Sequence, residues 1–253
     1  MPFSERFHTI AAWTEIALAA VTFLSLLFIV APYGRHTRAG WGPTMSQKLG
    51  WVVMESPAFF GFAALFVLGA HAREPVPIAL ASMWLVHYGQ RTFVFPALIR
   101  ARDKRTPVSI VATAFGFNIL NAIVCAPSAS SFDVKTASWL GDPRFIAGAL
   151  MFVVGFVGNV VSDEQLRRLR KPGDSTYKIP RGGLFELVSS PNYLCEILEW
   201  SGWALASWSL GGLAFAVYTF ANLAPRARSN HAWYLSTFPD YPARRRALIP
   251  FVW

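Results

Sequence analysis

Charge is what this sequence has least of. Asp, Glu, Lys and Arg together make up 15% of its 253 residues, against about 25% in ordinary soluble domains. Acidic residues are the scarcer kind, 14 against 23 Lys and Arg, which leaves a net charge of +9. A soluble nucleic-acid binder carries such an excess on a polar surface, and too little polar surface exists here, so no nucleic-acid partner is expected. Cysteine is nearly missing. Cys125 and Cys195 cannot staple a secreted scaffold, and both fall inside apolar runs, where burial is their expected role. No G-x-G-x-x-G follows a strand, so any dinucleotide is bound without a Rossmann unit. P-loop, H-E-x-x-H, G-x-S-x-G and Cys–His clusters are absent too, which removes the apparatus for serine or metal hydrolysis and leaves no expected metal site. Repeats and low-complexity tracts are lacking.

Apolar residues are abundant, 54% of the chain, with 10 Trp, 7 Tyr and 21 Phe, which excludes disorder. Runs near bilayer length cover about 10–31, 49–70, 77–99, 107–126 and 144–161, with weaker ones at about 185–204 and 206–223; a helix needs about 20 residues to cross hydrocarbon. The expectation is an all-α, polytopic membrane protein of seven transmembrane helices enclosing a cavity, in one domain over 1–253. Glu15 interrupts the first run and no small-residue site ends it, so it reads as a span rather than a signal peptide. Eighteen of the 23 Lys and Arg fall in the four segments after spans one, three, five and seven. The positive-inside rule puts those segments in the cytoplasm, the amino terminus outside and the carboxyl terminus inside.

An ionisable side chain at the bilayer centre costs at least about 2.5–3.5 kcal/mol, so the polar residues left inside spans need partners or a task. Glu55 stands before Pro57 in span two. His87, Tyr88 and Arg91 share one helical face in span three. Asn159, Asp163 and Arg167 are spaced i, i+4, i+8 at the end of span five, with Arg170 one turn on. Such a stripe suits a phosphorylated, sugar-bearing ligand, because carboxylates bind hydroxyls and arginine forks bind phosphate. Asn192, Glu196 and Trp200 repeat the spacing in span six, with Glu199 beside them, behind the Gly182-Gly183 turn. The basic, aromatic tail from His231 either lies on headgroups or caps a cofactor pocket.

The run LRRLRKPGDSTYKIPRGGLFELVSSPNYLCEILEWSGWALASWS, the tail DYPARRRALIPFVW, and the HYGQRTFV and MESPAF motifs resemble the steroid 5α-reductase family, the membrane 3-oxo-5α-steroid 4-dehydrogenases, in a bacterial-type form. The similarity runs from about Trp51 to Trp253 and is densest over Asn159–Trp208. The resemblance implies NADPH, a steroid or related enone lipid as substrate, a monomer in the cytoplasmic membrane, and the pair Glu55 and Tyr88 as catalytic, with Tyr88 hydrogen-bonding the C3 ketone oxygen and Glu55 orienting that contact. Cofactor contacts are implied for Arg91, Arg102, Asn159, Asp163, Arg170, Tyr177, Lys178, Asn192, Glu196, Trp200 and Tyr234. Residues 1–100 would then form the substrate side and 101–253 the NADPH-binding side. Departures from the family pattern are Met54 before the glutamate, Lys178 where arginine is frequent, and Asn230-His231 in place of a longer histidine stretch. The competing reading is a membrane methyltransferase using S-adenosylmethionine, of the isoprenylcysteine carboxyl type. It needs no 2′-phosphate partner and so leaves the arginines after span five unexplained. A non-catalytic sterol binder explains an apolar pocket but not Asn159, Asp163, Asn192 and Glu196.

Overall fold

The computed structural model describes residues 3–99, 104–169 and 176–253. Arg102 and Arg170 therefore lie outside the described residues. Long helices dominate. Helix α1 is Glu5–Phe28 and starts on Ser4, whose hydroxyl accepts from the Phe7 amide. Helix α2 is Gln47–Val67, and α3 runs over 75–98. Helix α4 is Val108–Phe132. Helix α5, Pro143–Arg168, is capped by the Asp142 carboxylate with proline at its first position, the place where a missing N–H costs nothing. Helix α6 is Pro191–Ser207 and α7 is Leu210–Thr237. Only Trp208 and Ser209 separate these last two, and Trp208 takes a left-handed φ of 45° to make the turn. A two-stranded antiparallel ladder, β1 Thr44–Ser46 with β2 Arg105–Pro107, ties the start of α2 to the start of α4.

Among the described residues four helices, α1, α2, α4 and α5, are long and apolar enough to cross a membrane. Their outer faces match that task. On α5 the exposed large apolar side chains are Ile146, Leu150, Val153, Val154, Val157 and Val161, one continuous apolar stripe of a kind that water-soluble surfaces avoid. The other three rods are less apolar for identifiable reasons. Helix α3 carries His87, Gln90 and Arg91, α6 has 17 residues and two glutamates, and α7 continues well past its apolar part to Thr237. Two boundaries differ from the sequence reading. Residues 185–190 precede α6, so Glu186 sits in a short turn, Gly183–Glu186, and not in a span. Arg226 and Arg228 belong to α7 and not to a following loop.

Helices α5 and α6 meet backbone to backbone. A Cβ on Gly155 would stand 2.5 Å from the Glu199 nitrogen, and one on Gly148 would stand 2.5 Å from the Ala206 nitrogen. Gly202 makes the reciprocal approach to Phe152. Association within lipid rests on such close packing and on hydrogen bonds, because lipid tails are as apolar as leucine. The centre of the molecule is aromatic. Trp84 of α3 stacks on Phe62 of α2 at 4.5 Å and meets Trp200 of α6 at 5.1 Å, and Trp200 meets Phe215 of α7 at 4.5 Å. The chain end folds back over the approach to α6: Arg245 is fully buried, donating to the Pro180 carbonyl at 2.8 Å. Arg245 is thus a structural clasp, not one of the surface anchors that a count of cytoplasmic charge made it.

Candidate active site

Proline creates the first feature of the site. Pro57 has no N–H, so the Val53 carbonyl of α2 loses its helical donor, and the Ser56 hydroxyl takes the place at 2.8 Å. The helix passes through a π turn over Pro57–Gly61. That widening frees the Ala58 carbonyl, to which the Trp84 indole donates at 2.7 Å. Helix α3 has its own π turn, Gln90–Val94, directly after Tyr88 and Gly89. Such turns re-aim neighbouring side chains and concentrate at functional sites. Here they flank Glu55 and Tyr88.

Both side chains face a cavity of about 420 Å³ to which all seven helices contribute. Its walls are largely apolar, with Leu26, Met54, Ile110, Phe117 and Phe215 among them. Two amides of α4, one turn apart, hold the two polar groups. Asn118 donates to Glu55 Oε2 at 3.2 Å and to the Met54 carbonyl at 2.6 Å, and Asn121 donates to the Tyr88 hydroxyl at 3.4 Å. Among the described residues Glu55 and Tyr88 share no hydrogen bond; each is fixed by its own asparagine. Neither Asn118 nor Asn121 was singled out from sequence, although two amides in the apolar run FGFNILNAIV carry the same signal that marked Glu55.

An outer compartment of about 210 Å³ adjoins the first and shares Tyr33, Gln47, Trp51, Asp163, Asn192 and Arg226 with it. Its further lining is basic and polar: Arg35, Lys104, Arg167 and Asn230. At the junction Arg91 donates to Asp163 Oδ2 at 3.0 Å, and Asn192 donates to Asp163 Oδ1 at 3.0 Å. Arg91 also lies over the rings of Trp51 and Phe95, 4.6 Å from each. Asn159 stands one layer behind and donates to the Asn192 carbonyl at 3.0 Å and to Glu196 at 3.2 Å. At the rim Arg35 covers Tyr234 and Trp233, Lys104 donates to the Tyr177 hydroxyl at 3.1 Å, and Arg226 donates to the Tyr193 hydroxyl at 2.8 Å. Burial holds the His36 imidazole below its usual range, so at neutral pH it adds no charge; its Nε2 lies 3.1 Å from Asn230 Oδ1.

Glu55, Tyr88, Arg91, Asp163, Asn192 and Glu196 thus line the cavity together. Tyr177 and Tyr234 reach the rim through Lys104 and Arg35, and Lys178 is exposed on the segment leading to it. Trp200 lines neither compartment; it is a core residue whose ring lies 5.6 Å from that of Tyr88. His87, read from sequence as sharing the Tyr88–Arg91 face, turns away from the cavity to Glu199. Tyr33, Arg35, Lys104 and Arg226 join the site without having been foreseen as part of it. A mouth of cations laid over aromatic rings suits an anionic, ring-bearing ligand. The inner chamber, apolar with a phenol and a carboxyl on one wall, suits a flat apolar molecule with one polar end.

Comparison with known proteins agrees with this pairing. The family model described as 3-oxo-5-alpha-steroid 4-dehydrogenase matches residues 104–253. The chain is 47% identical to the steroid 5-alpha-reductase DET2 of Gossypium hirsutum over 248 residues, covering 95% of each chain. It is 43% identical to 3-oxo-5-alpha-steroid 4-dehydrogenase 1 of Bos taurus over 259 residues, covering 100% of both. To the Homo sapiens protein of the same name it is 38% identical over 255 residues, covering 98% of this chain and 96% of the relative.

Proposed function

Because the chain belongs to the 3-oxo-5-alpha-steroid 4-dehydrogenase, or steroid 5α-reductase, family, we propose that it reduces the Δ4 double bond of 3-oxo-Δ4-steroids of the testosterone and progesterone type, with NADPH as reductant. The enzyme class, an oxidoreductase of steroid metabolism, follows from the family; the cofactor and substrates are the reading argued here. The observation that carries it is the two-compartment cavity, with an apolar chamber holding Glu55 and Tyr88 opening into a basic, aromatic mouth through Arg91, Asp163 and Asn192.

The residues present fit a phosphorylated dinucleotide. Arg35, Lys104, Arg167 and Arg226 supply positive charge, Tyr33 and Trp51 supply ring faces, and Asp163 with Asn192 supplies acceptors and donors for hydroxyl and amide groups. When bound, NADPH supplies the hydride that adds to C5. Tyr88 donates its hydroxyl hydrogen to the C3 ketone oxygen, where negative charge develops as C5 is reduced. A donor aimed at such a charge is worth about 2.7–4 kcal/mol of barrier. Asn121 orients the Tyr88 hydroxyl for that contact, and Glu55, held by Asn118, faces the same chamber and polarises it. The apolar walls exclude water, so the Tyr88 hydrogen bond acts at low dielectric. The product, a 5α-dihydro-3-oxosteroid, has gained hydride at C5 and, as the charge on the C3 oxygen collapses, a proton at C4 that comes ultimately from water, with Tyr88 left protonated as it began.

In the membrane, the reading counts α3, α6 and the first part of α7 as spans beside the four more apolar helices. The amino terminus is then outside and the carboxyl terminus cytoplasmic, and the basic mouth faces the compartment that holds the cofactor. The reading takes the unit as a monomer. The test is direct. Protein purified in detergent, given NADPH with testosterone or progesterone, is expected to yield the 5α-dihydro product in step with NADPH oxidation. NADPH binding without turnover of any steroid enone would overturn the substrate assignment.

A further inference from the structure

One buried pair of ionisable groups touches neither compartment. His87 Nδ1 and Glu199 Oε1 lie 2.7 Å apart, with side chains 4% and 0% exposed. Neither residue lines the cavity. Replacing such a buried pair with apolar residues is frequently neutral or stabilising, so its best-attested use is to fix register. Here the register in question is that of Tyr88, the next residue along.

Helix α3 needs such a fix. Its π turn begins at Gln90, immediately after Tyr88 and Gly89, so the backbone on the carboxyl-terminal side of Tyr88 leaves the regular α spacing. Helix α6 is the rigid partner. Its backbone is pressed against α5 at Gly155, where a Cβ would stand 2.5 Å from the Glu199 nitrogen. Two polar ties join α3 to this fixed helix, one turn apart on α6. The Trp203 indole donates to the Leu80 carbonyl at 3.0 Å, and Glu199 meets His87. Between them the Tyr88 ring is walled by Trp84, His87 and Trp200 at 4.9, 5.0 and 5.6 Å. The next turn of α6 carries Glu196 and Asn192, which line the junction to the outer compartment. Glu199 therefore refers the position of the Tyr88 hydroxyl to the helix that holds the cofactor side.

We propose that His87 and Glu199 are a positioning pair that sets the Tyr88 hydroxyl at the C3 oxygen relative to the cofactor-side residues of α6. The proposal rests on the reduction assigned above, with Tyr88 as the donor. A roll of α3 that shifts the hydroxyl by about 1 Å costs about 100-fold in rate, while Asp163, Arg167, Asn192 and Arg226 keep their places on α5, α6 and α7.

The test measures kcat and NADPH affinity separately, the latter by quenching of tryptophan fluorescence, for the wild type and for His87→Phe, Glu199→Leu and Glu199→Gln. Wild-type turnover comes first; its absence sinks the reduction itself and is thereby distinguished from failure of the pair. Expected for His87→Phe and Glu199→Leu is a fall in kcat of more than about 10-fold with NADPH affinity changed less than about 3-fold. Glu199→Gln keeps an oxygen to accept from His87 and is expected to stay within about 10-fold of wild type in kcat. The proposal is overturned if the apolar variants keep kcat within about 10-fold, if kcat and affinity fall by the same factor, or if Glu199→Gln is as damaged as Glu199→Leu. Should neither apolar variant fold, His87→Ala takes their place, with the same expectation and the same limit.

Discussion

Helices α5 and α6 touch along glycines, with no interruption in either helix at the seam. Across the cavity α2 and α3 meet through side chains, and each is broken by a π turn close behind its key residue, Glu55 or Tyr88. The first pair presents Asp163, Asn192 and Glu196 from a fixed frame. The second presents two polar groups whose aim depends on asparagines of α4 and on indole hydrogen bonds. One side of the site is held by backbone contact, which tolerates no added atom. The other is held by hydrogen bonds that can be removed one at a time, so chemistry and cofactor binding are separable by mutation.

The largest effect is expected on the rigid side. Gly155→Leu drives a side chain into the α6 backbone and costs more than about 3 kcal/mol; loss of the monodisperse peak in size-exclusion chromatography is the readout. A folded, NADPH-binding Gly155→Leu protein would remove the distinction between the two pairs. Next comes Tyr88→Phe, which keeps the ring and removes the donor. It is expected to lower kcat by about 100- to 1000-fold with NADPH affinity unchanged, measured by product formation and fluorescence titration. Asp163→Asn leaves Arg91 at the junction without its carboxylate partner. A hydrogen bond to a charged group is worth about 1.5–3 kcal/mol, so NADPH affinity should weaken by about 10-fold or more, with a smaller change in kcat at saturating cofactor. Parallel losses in kcat and affinity for Tyr88→Phe and Asp163→Asn would show that the two sides do not act separately.

The smallest effect concerns the turn before α6. The Gly182 amide donates to Glu186 at 2.7 Å, and with Arg245 and Arg244 nearby it holds that carboxyl below the ordinary range. The pKa is depressed in the folded state, so the contribution is present above the unfolded carboxylate value and is lost as pH falls through the folded one. Thermal stability of the wild type should therefore drop more steeply below about pH 4.5 than that of Glu186→Gln, which has no group to titrate there. Identical profiles would mean that the turn takes no support from this charge.

Much of this was legible in the sequence because lipid penalises polarity. That single cost pointed to Glu55, Tyr88, Arg91, Asp163, Asn192 and Glu196, all of which line one cavity. It applied equally to Asn118 and Asn121, which went unnoticed because, unlike Asn159 and Asn192, they share no helical stripe with a charged residue. Arg35, Lys104 and Arg226 were hidden for the opposite reason. A cation at a helix end explains itself as a topology signal, and nothing local tells an anchor from a ligand contact. His87 was placed on the wrong surface because helical spacing says which residues share a face, not which neighbour that face meets. Trp200 came from its place on the Asn192–Glu196 stripe and from the resemblance, and in the fold it supports Tyr88 from the core. Helix limits erred where chain composition misleads: Glu186 adjoins an apolar run but precedes the helix, whose start at Pro191 is set by backbone geometry.

The proposed reduction requires the two compartments to bring a nicotinamide and a steroid enone together at C5. The most direct measurement uses NADPH deuterated on the transferring face of its nicotinamide C4, with testosterone, and locates the label in the product by NMR. The account predicts one deuterium at C5 of a 5α-dihydro product and none at C4. Label at C4, an unlabelled product, or reduction of the C3 ketone instead of the double bond would contradict it.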